Sequence, residues 1–261
     1  MHMTWGAGIL GLVIGFLTGL TGMGGGAMMT PILVWTGWAP PAVAVGTDLV
    51  WNACTKILGA AVHYRERNVN LSLVRHLGTG SIPGALVGVY ILGVLEKKAG
   101  ATYVDHLIVH LLGGTLITVA LSIVLKEYSQ RRYPHRSGKL IGDEALGSWQ
   151  IPIIGFVVGV LVAFTSVGSG SLIITSLLLL FPGEPLKRLI GSDVFHGVLL
   201  VGVAAFGHWH LGSVNVALVT SLLFGSLPGV WLGSLLAGRI PERALRPIVA
   251  MLLFITGVKL I

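Results

Sequence analysis

The stretch AVGTDLVWNACTKILGAAVHYRERNVN, residues 44–70, decides how this chain is read, because much of it comes back. Displaced by 145 residues, Gly46-Thr47-Asp48 falls on Gly191-Ser192-Asp193, His63 on His208, and Val69-Asn70 on Val214-Asn215. Downstream, Gly80-Ser81-x-Pro83-Gly84 falls on Gly225-Ser226-x-Pro228-Gly229, and Gly88 on Gly233. Upstream, at a displacement of 144, Gly11, Gly15, Thr21, Gly24 and Gly26 fall on Gly155, Gly159, Thr165, Gly168 and Gly170. In a chain with 38 glycines the glycine matches alone carry little weight. The Asp, His, Asn and Pro matches at one displacement carry much more. The chain therefore reads as two copies of one unit, residues 1–125 and 149–261, joined by a polar cytoplasmic linker at 126–148.

The solvent of both units is lipid. Of 261 residues 54% are hydrophobic and 10% charged, against about 25% charged in soluble domains. The mean hydropathy is +0.87. Apolar runs such as Leu86–Leu95 and Leu107–Leu125 are unbroken, which excludes the alternating pattern of a membrane β-barrel. Ten apolar segments are expected, near 5–21, 26–38, 42–64, 71–95, 103–125, 149–165, 170–182, 190–210, 214–238 and 244–261. Segments 26–38 and 170–182 are too short to cross a bilayer core of about 30 Å at 1.5 Å per residue. Each follows a glycine-rich break, which marks a discontinuous or re-entrant helix. The fold expected is an all-α polytopic membrane protein with five segments in each repeat. The N-terminus shows no Lys or Arg ahead of its apolar run and no small-residue cleavage site, so the first segment is expected to stay. The lone Cys54 has no partner for an internal disulfide.

Loop charges orient the repeats. With 126–148 on the cytoplasmic side, Arg65, Arg67, Lys187, Arg188, Arg239, Arg243 and Arg246 fall there too. The 35–41 turn, Glu96-Lys97-Lys98, His208-Trp209-His210 and Lys259 fall outside. That satisfies the positive-inside rule only if the copies are inverted. A net charge of +7 is thus loop asymmetry. No interleaving of aromatic and basic residues points to nucleic acid. Inverted repeats in a helical membrane protein suggest alternating access around a midplane site.

Several pieces carry a family resemblance: GFLTGLTGMGGGAMMTPIL at 15–33, the 44–70 stretch and GTGSIPGALVG at 78–88, with IGSDVFHGV at 190–198, GHWHLGSVN at 207–215 and GSLPGVWLGSLLAG at 225–238. Together they resemble the TauE/SafE sulfite-exporter family of membrane permeases. The resemblance covers nearly the whole chain apart from the linker. It implies an integral membrane transporter for sulfite, organosulfonates and other sulfur-containing anions. Asn70 and Asn215 stand where that family branch is expected to carry aspartate, so no acid role can be carried over to them.

The residues themselves suggest where an anion would bind. On a helix over 42–64, Asp48, Asn52, Thr55, Lys56, Gly59 and His63 share one polar face. An ionisable group in hydrocarbon costs roughly 2.5–3.5 kcal/mol on insertion scales unless paired or wet. The face is therefore either a substrate cavity or an Asp–Lys pair holding helices together. In the second copy Asp193 and His196 continue the pattern, but Leu200 and Val201 replace Thr55 and Lys56. The glycine breaks at Gly24-Gly25-Gly26 and Gly168-Ser169-Gly170 precede helix starts at Ala27 and Ser171. Two such N-termini present free N–H groups and the positive ends of helix dipoles, a ready anion cradle. Thr21, Thr165, Ser166, Ser169 and Ser171 add hydroxyls.

Gly11 and Gly15 read as close-packing positions, Pro83 and Pro228 as kinks. His63 and His208, at segment ends, read as interface anchors, as do Trp35, Trp38 and Trp209. The partners expected are a small oxyanion, the lipid bilayer, a coupling proton or cation, and a homo-oligomer as an open option. Proton coupling would run through Asp48 or Asp193. No cofactor or metal is expected. A passive anion channel is the alternative. An intramembrane serine enzyme is a weaker one, because Val167 occupies the place of the first glycine in a Gly-x-Ser-Gly pattern.

Overall fold

Proline and glycine stand at many of the helix ends, among them Pro41, Gly100 and Pro185. The structure, a computed structural model, describes residues 5–21, 26–132, 149–181, 183–236 and 242–261. Those residues form ten helices: α1 Trp5–Thr21, α2 Gly26–Trp35, α3 Pro41–Arg65, α4 Leu71–Ala99, α5 Ala101–Arg132, α6 Gln150–Thr165, α7 Ser171–Leu180, α8 Leu186–His210, α9 Val216–Leu236 and α10 Glu242–Leu260. Each expected segment has its helix, and no strand occurs among the described residues. The first seven residues of the expected linker, 126–132, continue α5; positions 133–148 lie outside the described residues.

Helices α4, α5, α8 and α9 are long and apolar enough to cross a membrane. α3 is as long, at 25 residues, but Asp48, Asn52 and Lys56 lower its hydropathy. α2 and α7 have ten residues each, about half the length a crossing needs. The outer surface is apolar: Tyr90, Phe206, Phe224, Trp231 and Met251 are all well exposed. Such a surface suits lipid and would be untenable in water. Trp35, Trp38 and Trp209 are exposed as expected.

The helices interlock across the repeats. α1 packs on α9, and α6 packs on α4. Both pairs cross where glycine lets backbones touch. A Cβ on Gly11 or Gly15 would strike the backbone of Leu222 or Ser226; one on Gly155 or Gly159 would strike that of Leu77 or Ser81. The rising register means that α1 runs parallel to α9, and α6 parallel to α4. α3 and α8 cross the other way. Gly46 sits under the Ser213 carbonyl and Gly191 under that of Asn68, while Gly59 faces Val194. α5 and α10 also cross antiparallel, with Gly113 against Leu260 and Gly257 against Ile117.

α1 must therefore run in the same direction as α3, and α2 brings the chain back between them. Gly6, at the start of α1, lies against Trp38, just beyond α2. The α1–α2 pair leaves one end of the bundle and returns to it. Groups expected on one membrane face also meet. Lys187 pairs with Glu66 at 3.1 Å, both exposed, and this holds the Glu66 carboxyl below the usual range through the hydrogen bond and charge of Lys187. At the other end, Lys259 sits 4.6 Å above the Trp35 ring.

Two pairs of hydrogen bonds, one pair buried and one partly buried, tie the copies together, and each pair obeys the 145-residue displacement. Trp51 Nε1 donates to Ser226 Oγ at 2.8 Å; at the matching positions the His196 Nε2 and Ser81 Oγ pair at 2.6 Å. The Asn70 N–H donates to Ser192 Oγ at 2.8 Å, and that of Asn215 to Thr47 Oγ1 at 3.1 Å. The two asparagines are N-caps. Asn70 Oδ1 accepts from the N–H groups of Ser72 and Leu73, and Asn215 Oδ1 accepts from Leu218. Asn and Asp cap equally well, so asparagine serves these helix starts as the expected aspartate would. Asn70→Asp is expected to leave thermal unfolding in detergent nearly unchanged, whereas Asn70→Ala should cost about 1 kcal/mol. Equal melting temperatures for the alanine and wild-type proteins would refute the capping role.

Candidate functional site

The polar residues of α3 point inward because nothing outside can solvate them. Asp48 and Asn52 are buried, and Thr55 and Lys56 nearly so. Thr30 on α2 donates its hydroxyl to Asp48 Oδ2, leaving Asp48 Oδ1 without a hydrogen-bond partner. Lys56 Nζ donates to Ser169 Oγ at 2.9 Å. It lies within electrostatic reach of Asp193 and Asp48. Its head occupies a slot that exists because residue 197 is glycine: a Cβ there would sit 2.7 Å from Nζ.

The turn between α6 and α7 is built by its own hydroxyls and by unusual backbone. Ser166 ends α6 in the left-handed region at φ 59°, and Gly168 follows at φ 105°. A non-glycine residue at positive φ is costly, and such positions concentrate at functional sites. Thr165 Oγ1 donates to the Leu161 carbonyl and accepts from the Val167 N–H. This turn returns the chain into α7, whose first residue is Ser171.

The result is a small, partly open cavity with room for about one water molecule, lined by Gly26, Ala27, Asn52, Ser166, Gly168, Ser169, Gly170 and Ser171. The starts of α2 and α7, one from each repeat, thus face the same space. Gly26 is needed for that approach, since a Cβ would fall 2.5 Å from Asn52 Nδ2 and 2.8 Å from the Ser166 carbonyl. Each ten-residue helix directs free N–H groups and the positive end of its dipole to the cavity. Ser169 relays the charge of Lys56 to the same wall. Chemically this is a donor-rich pocket with one cation behind it, suited to an oxyanion.

Gly26, Asn52, Ser166, Gly168, Ser169, Gly170 and Ser171 share the cavity wall; Asp48 and Lys56 stand directly behind it. Thr55 and Thr165 spend their hydroxyls on backbone carbonyls. His196 is buried against Ser81, and Asp193 is buried near Lys56. Gly24, Gly25 and the side chain of Thr21 lie outside the described residues. His208 is no interface anchor: it is fully buried and its Nε2 pairs with the Ala163 carbonyl at 2.8 Å, tying α8 to α6. Thr30, Trp51, Ser81 and Ser226 were not singled out from the sequence. The two serines could have been, since both stand in the repeated Gly-Ser-x-Pro-Gly motif. Thr30 carries no such signal.

Ten apolar helices around a buried polar cavity define a polytopic α-helical membrane protein. The family model for the sulfite exporter TauE/SafE matches residues 7–260, and the chain belongs to that family; it is a membrane transporter, not an enzyme. It is 39% identical over 253 residues to the probable membrane transporter protein YjnA of Bacillus subtilis, covering 97% of this chain and 98% of the relative. The probable membrane transporter protein YunE of the same organism is 25% identical over 271 residues, covering 97% and 95%. A probable membrane transporter protein of Haemophilus influenzae is 27% identical over 206 residues, covering 74% and 68%. No solved structure matches the chain significantly.

Proposed function

We propose that the protein is a permease of the cytoplasmic membrane that carries small sulfur-containing or organic oxyanions, of the sulfite and organosulfonate kind, by alternating access. The observation that carries this reading is the convergence of two helix N-termini, Asn52, Ser166 and the Lys56–Ser169 pair on one small cavity. The antiparallel crossings of α3 with α8 and of α5 with α10 support inverted repeats of residues 1–125 and 149–261. Two such halves have two equivalent ways to lean on each other, which is the basis of alternating access. The buried aspartates, Asp48 and Asp193, give the carrier groups that can take up a coupling cation, a proton among them.

Purified protein in liposomes tests the reading. Wild-type vesicles should accumulate sulfite or short sulfonates saturably, and flux should be accelerated by the same anion on the far side. Gly26→Val should lower flux by about a hundredfold, because its side chain fills a site whose contacts sum to a few kcal/mol. Unsaturable flux that only dissipates gradients would indicate a channel. Normal saturable flux by Gly26→Val would place the anion elsewhere.

A further inference from the structure

Three buried oxygens beside the cavity have no hydrogen-bond partner: Asp48 Oδ1, Asn52 Oδ1 and Ser166 Oγ. Their residues are 0%, 1% and 1% exposed. They lie together. The Cβ position of Gly26 is 3.5 Å from Asp48 Oδ2, 2.5 Å from the Asn52 amide and 2.8 Å from the Ser166 carbonyl oxygen. The Ser166 side chain is close enough to Asp48 to interact with it, yet its hydroxyl makes no hydrogen bond of ordinary geometry. Buried polar atoms are rarely left so, and several at one place call for a missing partner.

We propose that Asp48, Asn52 and Ser166, with the Ser166 carbonyl, hold a sodium ion next to the anion cavity. The ligand set is all oxygen, which suits a hard cation and excludes softer metals. It includes one carboxylate, and among the described residues no group of three His, Cys, Asp or Glu side chains gathers. One formal charge with neutral oxygens fits a monovalent ion. Thr30 fixes the carboxylate by holding Oδ2, which leaves Oδ1 for the ion. Ser166 caps the C-terminus of α6, the negative end of that helix dipole, and half-helix C-termini with unwound carbonyls are where transporters bind cations. A proton on Asp48 would satisfy that oxygen and, as an O–H donor, one neighbour. Sodium satisfies all of them at once. The charge count agrees: ionised Asp48 and Asp193 with Lys56 leave one negative charge in the centre, which sodium cancels before an anion enters.

This inference rests on the permease reading for its role in coupling, but its test does not. Binding of radioactive sodium is measured on purified protein in detergent at neutral pH, without any anion substrate, in choline buffer. Saturable binding at one site is expected, with Asp48→Asn abolishing it. Ser166→Ala should weaken it about tenfold, the equivalent of one charge-assisted contact. Gly114→Ala, at a position where an added Cβ meets nothing within 4 Å, should bind sodium as wild type does. Melting temperatures identify any variant that fails to fold, and Ser166→Ala serves if Asp48→Asn does. No saturable sodium binding by wild type, or undiminished binding by Ser166→Ala and Asp48→Asn, overturns the site. If anions then still move under a pH gradient in sodium-free medium, the permease stands and the coupling ion is the proton. Sodium binding with no anion flux under any gradient would instead spare the site and sink the permease reading.

Discussion

Lys56→Met is expected to lower anion flux by about a hundredfold or more, in line with the roughly 2–5 kcal/mol lost when one partner of a buried, charged hydrogen bond is removed. Lys56 is buried, and its Nζ reaches the cavity wall through Ser169. In the second repeat Leu200 and Val201 stand where Thr55 and Lys56 stand in the first, and both are buried. No matching lysine faces the cavity from that half. Removing the ammonium also strips Asp193 and Asp48 of a compensating charge, which by itself destabilises by about 3–5 kcal/mol. The double variant Lys56→Met with Asp193→Asn separates the two effects. It should regain much of the melting temperature and none of the flux. Lys56→Arg is not conservative here. The slot against Gly197 fits a narrow ammonium, and a planar guanidinium is wider, so flux should stay well below wild type. Wild-type flux in Lys56→Met would remove this lysine from the mechanism.

How far these conclusions were legible in the sequence depends on the kind of physics involved. The ten helices were legible to within a few residues at most ends, because lipid makes apolar run length decisive; α5 runs seven residues past its expected end. The helix starts, expected at Ala27 and Ser171 and found at Gly26 and Ser171, were legible for the same reason. The polar face of α3 was legible as a face, but not atom by atom. Thr55 shares the face of Asn52 and Lys56, yet its hydroxyl folds back on the Trp51 and Asn52 carbonyls; a helical wheel cannot show that. Thr165 reads in the sequence as a donor to the anion, whereas it builds the turn after α6. The latches were least visible. Trp51 and His196 hold equivalent places and make equivalent bonds to Ser226 and Ser81, but an indole and an imidazole do not look like a repeat. The shared element is a ring-edge nitrogen that the fold brings to a serine hydroxyl. His208 went the same way: its position near a helix end suggested the interface, while the Ala163 carbonyl draws it inward.

Gly80→Ala and Gly225→Ala should each abolish or nearly abolish the folded protein, although each adds only one methyl group. The two positions are equivalent in the repeats. A Cβ on Gly80 would overlap the Pro152 carbonyl, and one on Gly225 the Gly8 carbonyl. The obstacle in both cases is backbone, which cannot rotate aside as a side chain can. Relief requires α4 to separate from α6, or α9 from α1, and with them the Gly84–Phe156 and Gly229–Leu12 contacts one turn further on. Overpacking a core usually costs about 1–3 kcal/mol; prying apart a whole glycine-lined crossing should exceed that range. Gly114 in α5 is the control, since a Cβ there meets nothing within 4 Å. Gly114→Ala should be neutral or stabilising by up to about 1 kcal/mol, the difference in helix propensity. Monodispersity and melting temperature in detergent decide the matter. If all three alanine variants behave alike, the crossings are looser than the backbone contacts require. If only the Gly80 and Gly225 variants fail, the repeated glycines are the seams on which the two halves assemble.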